Sequence, residues 1–154
     1  MEPSLPGLTS GEGAAWRGLV SVRFKLFAHL ERELQKRSGL SDADFSVLFR
    51  LWEAPDGQLR LGELGEQLDW TKSRLSKQIS RMASRGLLTR EICDTDGRGA
   101  FAVLTPAGRE MIEAASPPHL QDVRRWFVDA LTNEQLESLA AAFATILARL
   151  PTSP

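Results

Sequence analysis

Between positions 71 and 90 the chain places Lys72, Arg74, Lys77, Arg81, Arg85 and Arg90, and no acidic residue. Interleaved with them are Ser73, Ser76, Ser80 and Ser84. Cations at this density, with short hydroxyls between them, can hold a phosphate backbone and donate to base edges. The formal net charge of the chain is −1, so this stretch carries +6 and the remainder −7. A solvated helix face ordinarily mixes signs. The segregation here is more informative than the near-zero sum.

These side chains act together only if one helix presents them. Thr71 is a suitable N-cap, and Trp70 with Leu75 has the spacing of a hydrophobic staple. The helix should run to about Arg85 and stop at Gly86. At about 100° per residue, Leu75, Ile79 and Met82 share the side that must face a core. Ser73, Lys77, Ser80 and Ser84 cluster on the opposite side, with Arg81 beside them and Ser76 at the edge. Arg74, Arg81 and Arg85 form a stripe down one flank. Such a stripe can follow a phosphate backbone while the serine face enters a major groove. Lys72, Ser73, Ser76, Lys77 and Ser80 are therefore candidates to face the groove, and Arg74, Arg81 and Arg85 to contact phosphates.

A second contact is expected just downstream. Residues 87–93 and 100–104 have strand character, and the intervening Asp-Thr-Asp-Gly-Arg-Gly reads as a hairpin tip. Arg98, set between two glycines, can reach into a narrow minor groove, where the potential is most negative. Asp96 is explained as the residue that orients Arg98 or another wing arginine, and Arg85 could be that arginine instead of a phosphate contact.

The rest of the chain supplies elements that position this centre. With 154 residues, 42% of them hydrophobic, it can bury a core as one domain. Residues 1–13, rich in Pro and Gly, read as a flexible lead-in. A helix follows over about 14–36, with Trp16, Leu19, Val20, Phe24, Phe27, Leu30 and Leu34 at helical spacing. Ser41 caps a second helix, with Asp44 three residues on, and Pro55-Asp56-Gly57 turns the chain. A short strand at 58–60 and a short helix at 61–68 precede the basic helix. Thr105-Pro106 opens a long helix, expected to kink or restart at Pro117-Pro118. Thr132-Asn133-Glu134-Gln135 is a capping box for a last apolar helix.

Several function classes find no support. No Gly-rich phosphate loop and no nucleophile–base pair is visible, so an enzyme is not expected. His29 and His119 have no metal-ligand spacing, and no cofactor is expected. The lone Cys93 fits a reducing compartment, where we read it as an inert strand residue. No stretch is long enough to cross a bilayer and the N-terminus lacks a secretory pattern, so a cytoplasmic protein is expected.

The order helix, helix, short helix, turn, helix, hairpin, long helix, helix is a winged helix-turn-helix flanked by helices: a mainly α (α+β) class. Residues 61–105 resemble the core of the multiple-antibiotic-resistance regulator (MarR) family. The carriers are Asp96-Gly97-Arg98 followed by Leu104-Thr105, the segment RMASRGLLTR and the segment LTPAGRE. The flanking helices match in order and length. The resemblance implies a homodimer, paired through residues 14–40 and 105–150, with a DNA-binding region at 41–104. It implies a regulator, in the first instance a repressor, on a near-palindromic operator. Similar proteins often release DNA on binding small aromatic or lipophilic effectors in a pocket between the two regions. Trp16, Phe24, Phe45, Phe49 and Trp52 are the candidates to line such a pocket here, although aromatics at helical spacing are more often core. A winged-helix module that binds protein instead of DNA is the competing reading.

Overall fold

The computed structural model describes residues 5–92 and 99–151. Among the described residues, six α-helices and a three-stranded sheet follow the expected order. They are α1 (Ser10–Ser38), α2 (Asp42–Glu53), β1 (Gln58–Arg60), α3 (Leu61–Leu68), α4 (Lys72–Ser84), β2 (Leu88–Ile92), β3 (Ala100–Leu104), α5 (Pro106–Val123) and α6 (Asn133–Leu147).

Local chemistry accounts for most boundaries. The Ser41 hydroxyl accepts from the Asp44 amide at 3.1 Å while Asp44 Oδ2 accepts from the Ser41 amide at 3.1 Å, closing the expected capping box. Thr132 and Gln135 close the same kind of box at the start of α6. Asp69 takes the left-handed conformation (φ 51°) that turns the chain from α3 into α4.

Two boundaries differ from expectation. Helix α1 begins at Ser10, inside the stretch expected to be a flexible lead-in. Thr9 and Glu12 form a reciprocal capping box there, and its two hydrogen bonds offset the low helix propensity of Gly11 and Gly13. Helix α5 does not restart at Pro117-Pro118 but runs unbroken through both. Residues buried on either side of the prolines, Ile112, Ala115, Ser116 and Asp122, hold it in register. The carbonyls that lose an amide donor belong to Glu113 and Ala114, which are exposed and open to water. The irregularity falls later, in a π-helical turn at Arg124–Val128.

The sheet order is β1-β3-β2, antiparallel throughout, with Leu59 opposite Ala102 and Ala102 opposite Arg90. Its inner face meets one core that includes Leu40, Leu48, Leu51, Leu64, Ile79, Met82, Leu88 and Ile112, all nearly inaccessible. Helix α5 is pressed against the exit of α4. Thr105 Oγ1 donates to the Gly86 carbonyl at 2.6 Å, and the Thr105 amide donates to the Leu87 carbonyl at 3.3 Å. A Cβ at Gly108 would overlap the Leu87 carbonyl oxygen, so only glycine fits there.

The two ends of the chain are packed differently from its centre. Trp16, Leu19, Phe24 and Phe27 of α1 are exposed, as are Phe143, Ile146 and Leu147 of α6. Helix α6 buries none of its residues.

Candidate nucleic-acid interface

Helix α4 presents the face its sequence demands. Leu75, Ile79 and Met82 are buried, while Lys72, Ser73, Arg74, Ser76, Lys77, Ser80, Arg81, Ser84 and Arg85 are all exposed. Its first turn holds no acid. The amide end of the helix dipole and the charges of Lys72 and Arg74 therefore add, giving a positive end suited to phosphate.

The arginines of the flank are not loose. The Arg74 guanidinium lies over the Trp70 ring, 4.2 Å from its centroid. Arg81 Nη2 donates to Gln78 Oε1 at 2.6 Å. Arg85 Nη1 pairs with Asp44 Oδ2 at 2.7 Å. Gln78 Nε2 in turn donates to Asp44 Oδ1 at 2.7 Å. Asp44 is 5% exposed and Gln78 3%, so this network sits within the protein, between α2 and α4. Burial works against the charged form of Asp44. The hydrogen bond and charge of Arg85, with the Ser41 amide and hydroxyl, outweigh it, and the carboxyl titrates below the usual aspartate range.

Beside α4 runs a groove of about 650 Å³, bounded by α3, α4 and the base of the hairpin. Lys72 and Ser76 line it from α4, and Arg60 and Arg90 from the strands. Arg60 lies over the Phe101 ring at 5.1 Å, its register partner across β1 and β3. The hairpin tip itself, with Asp96, Arg98 and Cys93, lies outside the described residues.

The nine expected contact residues therefore divide plainly. Eight of them, all but Arg98, are exposed on α4 or at its C-cap. Arg85, proposed either for phosphate or for Asp96, has Asp44 as its ion-pair partner among the described residues. Sequence reasoning missed Asp44, Gln78 and Arg60. By spacing alone, Asp44 is no more than a capping acid. Gln78 did leave a signal: it sits three residues after Leu75 and four before Met82, a core position occupied by an amide, which demands a buried partner.

The five aromatic candidates are not gathered into one pocket. Phe45 is in the core, stacked on Phe49 at 5.7 Å. Trp52 donates to Glu113 at 3.2 Å. Trp16 and Phe24 lie exposed on α1. A cavity of about 180 Å³ between α1 and α5 is bordered instead by Leu34, Arg37, Met111, Pro118, His119 and Asp122. Arg37 pairs with Asp122 across it at 2.9 Å. The His119 ring packs on Phe45 at 4.5 Å, and its buried Nδ1 has no hydrogen-bond partner among the described residues. Burial lowers the pKa of His119, against the opposing pull of Asp42 and Asp122.

Comparisons with known proteins agree with this geometry. Residues 38–99 match the model of the MarR family. The chain is 39% identical to AbsC, a MarR family transcriptional regulator from Streptomyces coelicolor, covering 94% of this chain and 97% of that one, with a TM-score of 0.89. It is 36% identical to Sco3205, a MarR family transcriptional regulator from the same organism whose structure is in complex with DNA. That match covers 99% of this chain and 94% of the other, with a TM-score of 0.91. The HTH-type transcriptional repressor YetL of Bacillus subtilis is 28% identical over 85 residues, 55% of this chain. The matched stretch spans about half the length of that curated relative, 51%.

Proposed function

The chain belongs to the MarR family of transcriptional regulators, and from that premise we propose that it represses transcription as a homodimer on a near-palindromic operator. The observation that carries the reading is the outer face of α4: exposed cations and serines, with no acid among them. The face enters a major groove with Lys72, Ser73, Ser76, Lys77 and Ser80 toward the bases, while Arg74, Arg81 and Arg85 contact phosphates. Arg98 at the hairpin tip reaches the adjacent minor groove, oriented by Asp96.

The second copy covers the apolar sides of α1 and α6. Trp16, Phe24 and Phe27 on α1 and Phe143 and Ile146 on α6 are large apolar side chains left exposed in the isolated chain, the kind of surface that marks an interaction face. Two-fold pairing sets the recognition helices about one helical turn of DNA apart, ~34 Å. A small aromatic or lipophilic effector, bound between the terminal helices and the winged helix, would release the operator by changing that separation. No described helix is long and apolar enough to cross a membrane, and we place the protein in the cytoplasm.

Fluorescence anisotropy on DNA from the region upstream of the gene, in a salt series, tests the reading. The expected result is tight binding whose log–log salt slope falls by about 0.9 for each phosphate contacted. Arg98→Ala should weaken binding while sedimentation still reports a dimer. A flat salt response, with Arg98→Ala equal to the parent, would transfer the reading to a protein partner.

A further inference from the structure

We infer that Asp44, on α2 and away from the exposed face of α4, is the positioning residue that aims both Arg81 and Arg85 at the operator backbone. The inference rests on the DNA-binding reading and adds to it a residue outside the interface. One carboxylate is the root of two branches. Oδ2 holds Arg85 directly at 2.7 Å. Oδ1 holds the Gln78 amide at 2.7 Å, and the other end of that amide holds Arg81 at 2.6 Å.

Direction along the second branch is fixed by chemistry. A carboxylate can only accept, so Gln78 must turn its NH₂ toward Asp44. Its carbonyl oxygen is then left pointing at the helix surface, where it can only accept from Arg81. The charge state of Asp44 thus selects the orientation of Gln78, and Gln78 selects the rotamer of Arg81.

The benefit is entropic. An unrestrained arginine loses side-chain freedom when it meets a phosphate, and one already held by a hydrogen bond on its inner side loses less. Arg81 and Arg85 remain exposed on their outer sides, so each can bridge protein and phosphate at once. Asp44 itself is shielded: its carboxylate is nearly inaccessible and its charge is opposed by Arg85, so it does not repel the backbone it serves.

The test uses the full chain and a duplex enriched from a random-sequence library by the parent protein. Asp44→Asn keeps the shape, removes the charge and sets an NH₂ against one of the two donors, Gln78 Nε2 or Arg85 Nη1. Its affinity should fall roughly tenfold, at unchanged helical content by circular dichroism. In an Arg81→Ala/Arg85→Ala background the same change should cost less than about twofold, because the side chains it acts through are gone. Gln78→Leu should cost roughly fivefold with Arg81 present and nothing in Arg81→Ala.

Equal losses with and without the arginines would mean that Asp44 only stabilises the fold, and would overturn the inference. So would full affinity in Asp44→Asn. If Asp44→Asn does not fold, the Gln78→Leu comparison decides alone by the same criterion. Failure of the parent to enrich any duplex would overturn the DNA-binding reading, and the inference with it, before any variant is compared.

Discussion

Helices α4 and α6 invert the usual relation between composition and burial. Apart from Ala83, α4 has only Leu75, Ile79 and Met82 as apolar residues, and it buries all three. Helix α6 is largely Leu, Ala, Phe and Ile, yet it buries nothing. The difference shows where each helix finds its partner. Helix α4 uses a narrow apolar stripe to dock inside its own chain and leaves a polar face for another molecule. Helix α6 has the wide apolar face of a docked helix but buries none of it against the described residues, and this is the face that the proposed second copy would cover.

The sharpest way to break this contrast is to charge the face of α6. Phe143→Glu with Ile146→Glu should leave the winged helix folded but yield monomers by sedimentation. Operator affinity should fall by about two orders of magnitude, because two half-sites are no longer linked. A dimer that survives both charges would place the covering surface elsewhere.

Next in size, Met82→Ala removes a side chain with no exposure from beneath α4. It should destabilise folding by about 2–5 kcal/mol in denaturant titration. Leu147→Ala, at 66% exposure in the isolated chain, should instead leave the winged helix as stable as in the parent and raise the dimer dissociation constant, read by sedimentation over a concentration series. If the two variants behave alike, the division between internal and external packing fails.

Acid should separate the regions further. Asp44 has its carboxyl held below the ordinary aspartate value, so its stabilising contribution is complete above that value and is lost as pH falls through the lower, folded one. Gln78→Leu leaves the Arg85 pair and should reduce this acid sensitivity only in part, whereas Asp44→Asn should remove it. His119 contributes in a milder window. Its folded pKa lies below the ordinary histidine value, so the unfolded chain takes up the proton first and stability declines as pH drops below that value. His119→Gln should flatten the decline in melting temperature across that window.

The smallest effect belongs to single side chains on α4. Lys77→Ala should lower affinity for the preferred duplex and narrow its margin over unrelated duplexes, without shifting the melting temperature. The salt slope should stay close to that of the parent, because the side chain removed faces bases and not phosphates.

Much of the α4 region was legible in the sequence because its signals are local. The Thr71 cap, the buried positions of Leu75, Ile79 and Met82 and the turn at Asp69 each depend on neighbours within a few residues. The Asp44–Gln78–Arg81 chain was not legible, because it joins residues 34 apart and depends on how α2 crosses α4. The restart expected as one outcome at Pro117-Pro118 did not occur for the same reason: packing against α1 and α2 sustains a helix that the local rule would kink or break. Residues 10–13 show the reverse, since glycines obscured a capping box that was present in the sequence as Thr9 and Glu12. The aromatic candidates share a helical period, but that period could not say which would point inward and which would stay uncovered.

The fit at Gly108 has a mechanical consequence. With no room for a side chain between its first turn and the Leu87 carbonyl, α5 is pinned at one end to the exit of the recognition helix. Its 18 residues form an arm about 27 Å long. A tilt of about 10° around that pin would sweep the far end through roughly 5 Å, by the same rise per residue. Conversely, a displacement of a few ångströms at the far end of α5 would ask for a tilt of only about 10° at the joint.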